Sequence, residues 1–398
     1  MLIEFRVKNC LSIQDEQVLS LVASDDKQLK DNTFQACNLT LLKSAAIYGA
    51  NAAGKSNVIK VIKMIQEFVL QIQRTRKRGN LLPIIPFLLG NNEHEPSEFE
   101  ISFIAKDIQK EEMKYTYGFQ VTRERILKEW LFAYPNDIEQ KWFIRTYNQQ
   151  QNEYEYKFEN FDDVQKAQEK TIENILFLDA AVQWNNKQLQ PIYDWFYLMN
   201  IGNFSRNRLV FENALEFSME VLQEKEEEFL KYFRDVDLDI KSIVPKNIHE
   251  IYTIHLNQQG QDVNFPFIWE SDGTQTFFEF LGPIIDTLEK GRILVVDELH
   301  NHFHPMMTKY IIQLFHNKYI NKKNAQLIFT THETSVLDNE IFRKDQIYFC
   351  EKVNKATQLY SISDFDGLRE DIDFEKSYFL GRFGALPDID YTNVAKEK

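Results

Sequence analysis

Residues 49–56 read GANAAGKS, and no other stretch restricts the possible folds of this chain as tightly. Gly49, four intervening residues and Gly54-Lys55-Ser56 have the spacing of a phosphate-binding loop. The segment before it is largely apolar, with LTLL at 39–42 and AAIY at 45–48. After it, Val58, Ile62, Ile65, Val69 and Ile72 recur at helical spacing, which predicts a helix over 55–73. Strand, loop and helix in this order supply what a triphosphate needs: glycines that let backbone N–H groups turn inward, a helix N-terminus with partial positive charge, the Lys55 ammonium for the terminal phosphates and the Ser56 hydroxyl for Mg²⁺. In a chain of 398 residues such a match arises by chance on the order of once in a hundred. The bland alternative is a glycine turn that merely enters a helix.

A metal on the phosphates needs an outer carboxylate, and hydrolysis needs a group that activates water. Residues 293–298, ILVVDE, offer both: the apolar strand puts Asp297 at its carboxyl edge, where parallel sheets expose their sites, and Glu298 follows. Asp297 is the candidate ligand for Mg²⁺ and Glu298 the candidate to orient or deprotonate water; a surface turn with two acids is the alternative. His332, after the strand QLIFTT, could bring an imidazole to a terminal phosphate, or be a satisfied strand-end histidine. Ser271 and Gly273 begin the helix that continues TFFEFLGPIIDTL and could form a second anion-binding tip. One nucleotide needs one cradle, so a second becomes intelligible if it serves a nucleotide held by a partner molecule. A plain helix cap is the alternative for Ser271.

The formal charge of −14 argues against indiscriminate coating of nucleic acid, which needs a broad cationic footprint. A local basic groove stays compatible with it. The densest basic run, Arg74-Thr-Arg-Lys-Arg78, ends the first predicted helix, where it suits the helix dipole or, alternatively, a nucleic acid. Cys10, Cys37 and Cys350 are scattered, without framework spacing, and suit a reducing, cytoplasmic setting. The N-terminus alternates like a strand and lacks a signal-peptide core, and no apolar run approaches the roughly 18 residues of a membrane span.

Residues 2–8, 16–23 and 38–48 read as strands, and five alternating runs over 98–158 read as an antiparallel meander. Its aromatics suit cross-strand pairing in a core better than a platform for bases. Residues 160–235 change to amphipathic, charge-rich segments, a helical insertion with no sustained heptad. After 248 come a strand, a helix near 275–289, strands at 293–296 and 326–329 with a helix at 305–319 between them, and a strand at QIYFCEKV.

The order GANAAGKS, SDGTQ, ILVVDE, TTH resembles the ABC-type ATPase heads, in particular the SMC-like branch that contains OLD-type ATPases and the RloA-like ATPases of bacterial phage-defence and abortive-infection loci. The opening MLIEFRVKNCLSI, the segment DELHNHFHP and the ending YFLGRFGALPDID are similar to RloA-like proteins. The resemblance covers roughly 1–125 and 248–390. It implies an α/β fold, an ABC/SMC-like P-loop NTPase head with an N-terminal antiparallel β subdomain and a helical insertion. The head would span 1–398 in two halves, 1–158 and 246–398, around an insertion at 159–245. It also implies ATP and Mg²⁺ as cofactors and a homodimer or higher homo-oligomer in which each signature closes the other copy's site. Gly49, Asn51, Ala52, Ala53, Gly54, Lys55, Ser56 and Asn57 would form the cradle, Ser271 and Gly273 the signature, Ser56 and Asp297 the metal site, with Glu298 and His332 catalytic. A separately encoded effector, RloB-like or otherwise nuclease-like, is the implied partner.

Three departures stand out. Ala52 occupies a position where many SMC-like heads have glycine, Thr274 replaces a signature glycine, and Asp272 falls in the usual serine column with Ser271 one place earlier. A DNA-repair ATPase that clamps DNA and an ATP-stabilised scaffold are the competing functions. His300, His302 and His304 could suggest a metal or HNH-nuclease site, but they follow the carboxylate pair where the resemblance to SMC-like heads implies a dimer-facing loop, and Pro305 suits the first turn of a helix. Asp364 and Asp366 have only 32 residues behind them, too few for a Toprim nuclease domain.

Overall fold

The computed structural model describes residues 1–70, 77–159, 164–205, 208–210, 214–236, 239–247, 250–301, 303–369 and 372–388. The expected end of the first helix, positions 74–76 of the basic run, His302 and the chain from 389 lie outside them.

Five strands form a parallel sheet in the order Asn200–Ser205, Ile293–Asp297, Gln326–Thr330, Ser44–Gly49 and Ile347–Val353, with antiparallel edges Arg208–Val210 and Ala356–Ser361. The runs SAAIYG, ILVVD and QLIFT are buried at every position, as strands covered on both faces must be. Alternate residues divide between two cores. Ala45, Ile47, Val295 and Ile328 pack with the helix Lys55–Leu70. Ala46, Tyr48, Leu294 and Val296 pack with the helices Asp272–Lys290 and Pro305–His316. Because the strands run parallel, Gly49, Asp297 and Thr330 end at one edge.

The meander is a seven-stranded antiparallel sheet, ordered Glu153–Phe158, Gln140–Asn148, Ile126–Tyr134, Glu112–Val121, Ser97–Lys106, Leu2–Lys8 and Gln17–Ser20. Many of its aromatics are core residues: Phe99, Phe103, Tyr115, Tyr117 and Phe119 are buried, and Phe119 lies 5.6 Å from Phe68 of the first helix, centroid to centroid. That helix is therefore clasped between two sheets. A three-stranded sheet, Ser242–Asn247, Glu250–Leu256 and Asp262–Pro266, leads into the helix Asp272–Lys290.

Three expectations change. The run 38–48 is two strands, because the chain switches partners at Lys43: Leu39–Leu42 pairs with Thr33–Ala36, whereas Ser44–Gly49 enters the parallel sheet. The stretch 160–235 is not wholly helical, since Asn200–Ser205 adds a strand beside Ile293–Asp297. The helix expected to reach 319 stops at His316, where Asn317 turns to ψ 114° and accepts the Tyr319 N–H at 2.8 Å.

Candidate functional site

Gly49 leaves its strand at φ 146° and Gly54 enters the first helix at φ 111°, backbone states that strain any other residue. Space forbids side chains there as well. A Cβ on Gly49 would lie 2.3 Å from the Cys350 carbonyl oxygen, and one on Gly54 would lie 2.0 Å from the Thr357 hydroxyl. Ala52 takes a left-handed φ of 64°, so it adopts a glycine-like conformation without being glycine. The Lys55 ammonium folds back on this turn, donating to the carbonyls of Gly49 at 2.8 Å and Ala50 at 3.0 Å. Burial holds the ammonium below its ordinary pKa, while Cys350, Glu298 and Asp297 pull the other way. A lysine satisfied only by weak neutral acceptors, beside a tight glycine turn at a helix N-terminus, fits a phosphate chain.

The loop meets the acidic strand end. Ser56 Oγ donates to Asp297 Oδ1 at 3.1 Å, across 241 residues of sequence. Thr330 Oγ1 donates to the same oxygen at 2.5 Å and accepts the Glu298 N–H at 2.7 Å. Glu298 sits at φ 57°, a strained state for a residue with a side chain, and its carboxylate takes an N–H from Asn301 at 3.4 Å. A hydroxyl and a carboxylate already in contact fit an oxygen-seeking Mg²⁺.

His332 is brought to this edge from the next strand, where its Nε2 lies 3.0 Å from Nε2 of His300. Ser271 and Gly273 are placed elsewhere. Ser271 caps the helix Asp272–Lys290, accepting from the Thr274 N–H at 3.1 Å, and both residues line a cleft of about 310 Å³ with Phe233, Phe277, His304 and Met307. No phosphate-loop residue lines that cleft. Capping leaves the N–H groups of Asp272 and Gly273 as the donors of the first turn. Glu270, just before the cap, is anchored by His255 at 2.7 Å and by Thr253.

Some sequence candidates acquire structural roles. Asn57 donates to Ser12 at 2.7 Å, so its side chain braces the loop. His304 caps the helix begun by Pro305, accepting the Met306 N–H at 3.2 Å. Asp364 accepts the Ser361 N–H at 2.8 Å in a short helical turn. Arg78, on the basic run, is exposed and lies 3.6 Å from Glu173. Sequence reasoning missed Ser12 and Thr357, which bond each other at 2.8 Å; Thr357 also donates to the Ala53 carbonyl at 2.8 Å. In TTH the sequence points to the histidine, whereas the structure adds Thr330.

A family model described as "AAA domain, putative AbiEii toxin, Type IV TA system" matches residues 44–338. Among solved structures, the chain is similar to an SmcHead bound to the C-winged helix domain of ScpA, with 13% identity over 95% of this chain and 99% of that one and a TM-score of 0.45. It is similar to a dimeric, post-hydrolysis ATP-binding cassette with ADP and Pi, with 10% identity over 90% and 98% and a TM-score of 0.33. A third is cbiO1 of Clostridium perfringens, part of an ABC transporter complex, with 10% identity over 89% and 90% and a TM-score of 0.30. No curated protein sequence matches the chain.

Proposed function

Because the chain belongs to this AAA-domain family, we propose that it is an ABC-type ATPase that holds ATP and Mg²⁺ between two copies of itself and serves as the sensor or regulatory subunit of an anti-phage defence complex with a separately encoded effector. The observation that carries the ATPase reading is the hydrogen bond from Ser56 to Asp297. It joins the lysine-bearing turn to the acidic strand end at the sheet edge where open α/β folds bind ligands.

Lys55 exchanges the Gly49 and Ala50 carbonyls for terminal phosphate oxygens. Ser56 and Asp297 would hold Mg²⁺, and the ion would supply charge neutralisation for the phosphates there. Glu298 takes a proton from water, and His332 contacts the terminal phosphate. The tip at Ser271 and Gly273 faces the nucleotide held by a partner copy, in keeping with a cleft that none of this chain's own loop residues line. The family description, with its toxin–antitoxin system, supports the defence setting. The separate effector rests on the RloA-like resemblance. No helix among the described residues is long and apolar enough to cross a membrane.

Calorimetric titration with ATP and Mg²⁺ tests the reading: wild type binds, and Lys55→Ala does not. Absence of binding to wild type, or equal binding to both, contradicts it. Co-purification of the Glu298→Gln protein with products of neighbouring genes, with and without ATP, tests the effector.

A further inference from the structure

His300 follows Glu298 by two residues, and its imidazole touches the loop beyond the strand Gln326–Thr330 at two consecutive residues. Its Nε2 lies 3.0 Å from His332 Nε2, with ring centroids 3.9 Å apart, and its Nδ1 lies 3.0 Å from the Thr331 hydroxyl. His300 is half-buried and His332 exposed, so the order of protons follows from Thr331. Thr331 is fully buried, and its oxygen accepts the Glu333 N–H at 3.0 Å. A buried hydroxyl proton needs a protein acceptor, and among the described residues His300 Nδ1 is the one in reach. Burial, the largest cause, lowers the His300 pKa below its ordinary value, so the ring is neutral near pH 7. Its single proton is then on Nε2 and is donated to His332. An Nε2–H on His300 is matched by a lone pair on His332 Nε2, the tautomer with its proton on Nδ1.

We propose that His300 is a positioning residue that holds His332 in the tautomer whose Nε2 cannot donate to a phosphate oxygen. A terminal phosphate has to displace the His300–His332 bond before His332 grips it. The role of His332 at that phosphate rests on the function proposed above; the chain of hydrogen bonds does not. ADP lacks the group that His332 would meet, so the restraint weighs on ATP alone.

Two measurements decide the matter. Nitrogen-15 spectra of histidine-labelled, nucleotide-free protein are expected to show His332 as the Nδ1–H tautomer, with the Nε2–H form gaining in His300→Ala. Thr331→Val keeps both imidazoles and removes the hydroxyl proton that sets the order; the same gain is expected there, which covers a failure of His300→Ala to fold. In folded His300→Ala, ATP affinity is expected to rise about fivefold, the scale of one competing net hydrogen bond, with ADP affinity unchanged. An unchanged His332 spectrum in both variants, or equal shifts for ATP and ADP, overturns the proposal. If wild type binds neither nucleotide, the ATPase reading falls while the nucleotide-free spectra still decide whether His300 sets the His332 tautomer.

Discussion

Thr330 holds the two acids of the site in order. Its hydroxyl donates to Asp297 and accepts the Glu298 N–H, so one side chain fixes a metal ligand and the strained residue after it. Thr330→Val keeps the shape and removes both bonds, leaving a buried carboxylate and an N–H short of partners. We expect a loss of about 1–3 kcal/mol in urea unfolding and a fall in ATP turnover. Intact stability would show that the bonds carry little. Glu298→Gln should keep ATP binding and lower turnover by about 100-fold or more in a steady-state phosphate assay, the scale of a lost general base. Gly54, Lys55 and Ser56 were legible because the chemistry fixes their spacing along the chain. Thr330 and Thr357 were not, because their partners lie 33 and 304 residues away and nothing local marks a threonine that will meet them.

Among the elements, the strands that carry the site announced themselves. ILVVD, QLIFT and SAAIYG are apolar without interruption because both faces are covered. Asn200–Ser205 did not, since NIGNFS is short and polar and becomes a strand through its neighbour's hydrogen bonds. The change of partners at Lys43 was hidden for the opposite reason, apolar residues on both sides of it. This junction also carries a pH dependence. His316, ending its helix, is buried against Ser44 at 2.8 Å, and burial, then Lys43, push its pKa down to about 3. An imidazole that ionises less readily when folded favours the fold most above its unfolded pKa near 6.5, and that contribution is lost as pH falls from there towards 3. Urea unfolding should show wild type weakening by about 1–2 kcal/mol between about pH 7 and pH 5, and His316→Gln with a flatter dependence. An equally steep fall in His316→Gln would assign the acid sensitivity to other groups.

For the whole molecule, the residues proposed to handle the nucleotide fall into two groups. The phosphate loop, Asp297, Glu298 and His332 gather at the edge of the parallel sheet. Ser271 and Gly273 line a cleft of their own. Two copies related by a twofold axis would complete two sites at once, and the formal net charge of −14 opposes their association, so the fit between them has to be specific. Gly273 lies in the first turn of its helix, where an aspartate suits the helix dipole but repels phosphate, so Gly273→Asp should spare the fold and spoil the closure. Light scattering on the Glu298→Gln protein, with and without ATP and Mg²⁺, therefore bears most directly on the shared grip. The mass should double when ATP is added and stay at the single-chain value in Glu298→Gln/Gly273→Asp, which should still bind ATP. A mass indifferent to ATP, or doubling that survives Gly273→Asp, would contradict a nucleotide shared between two copies.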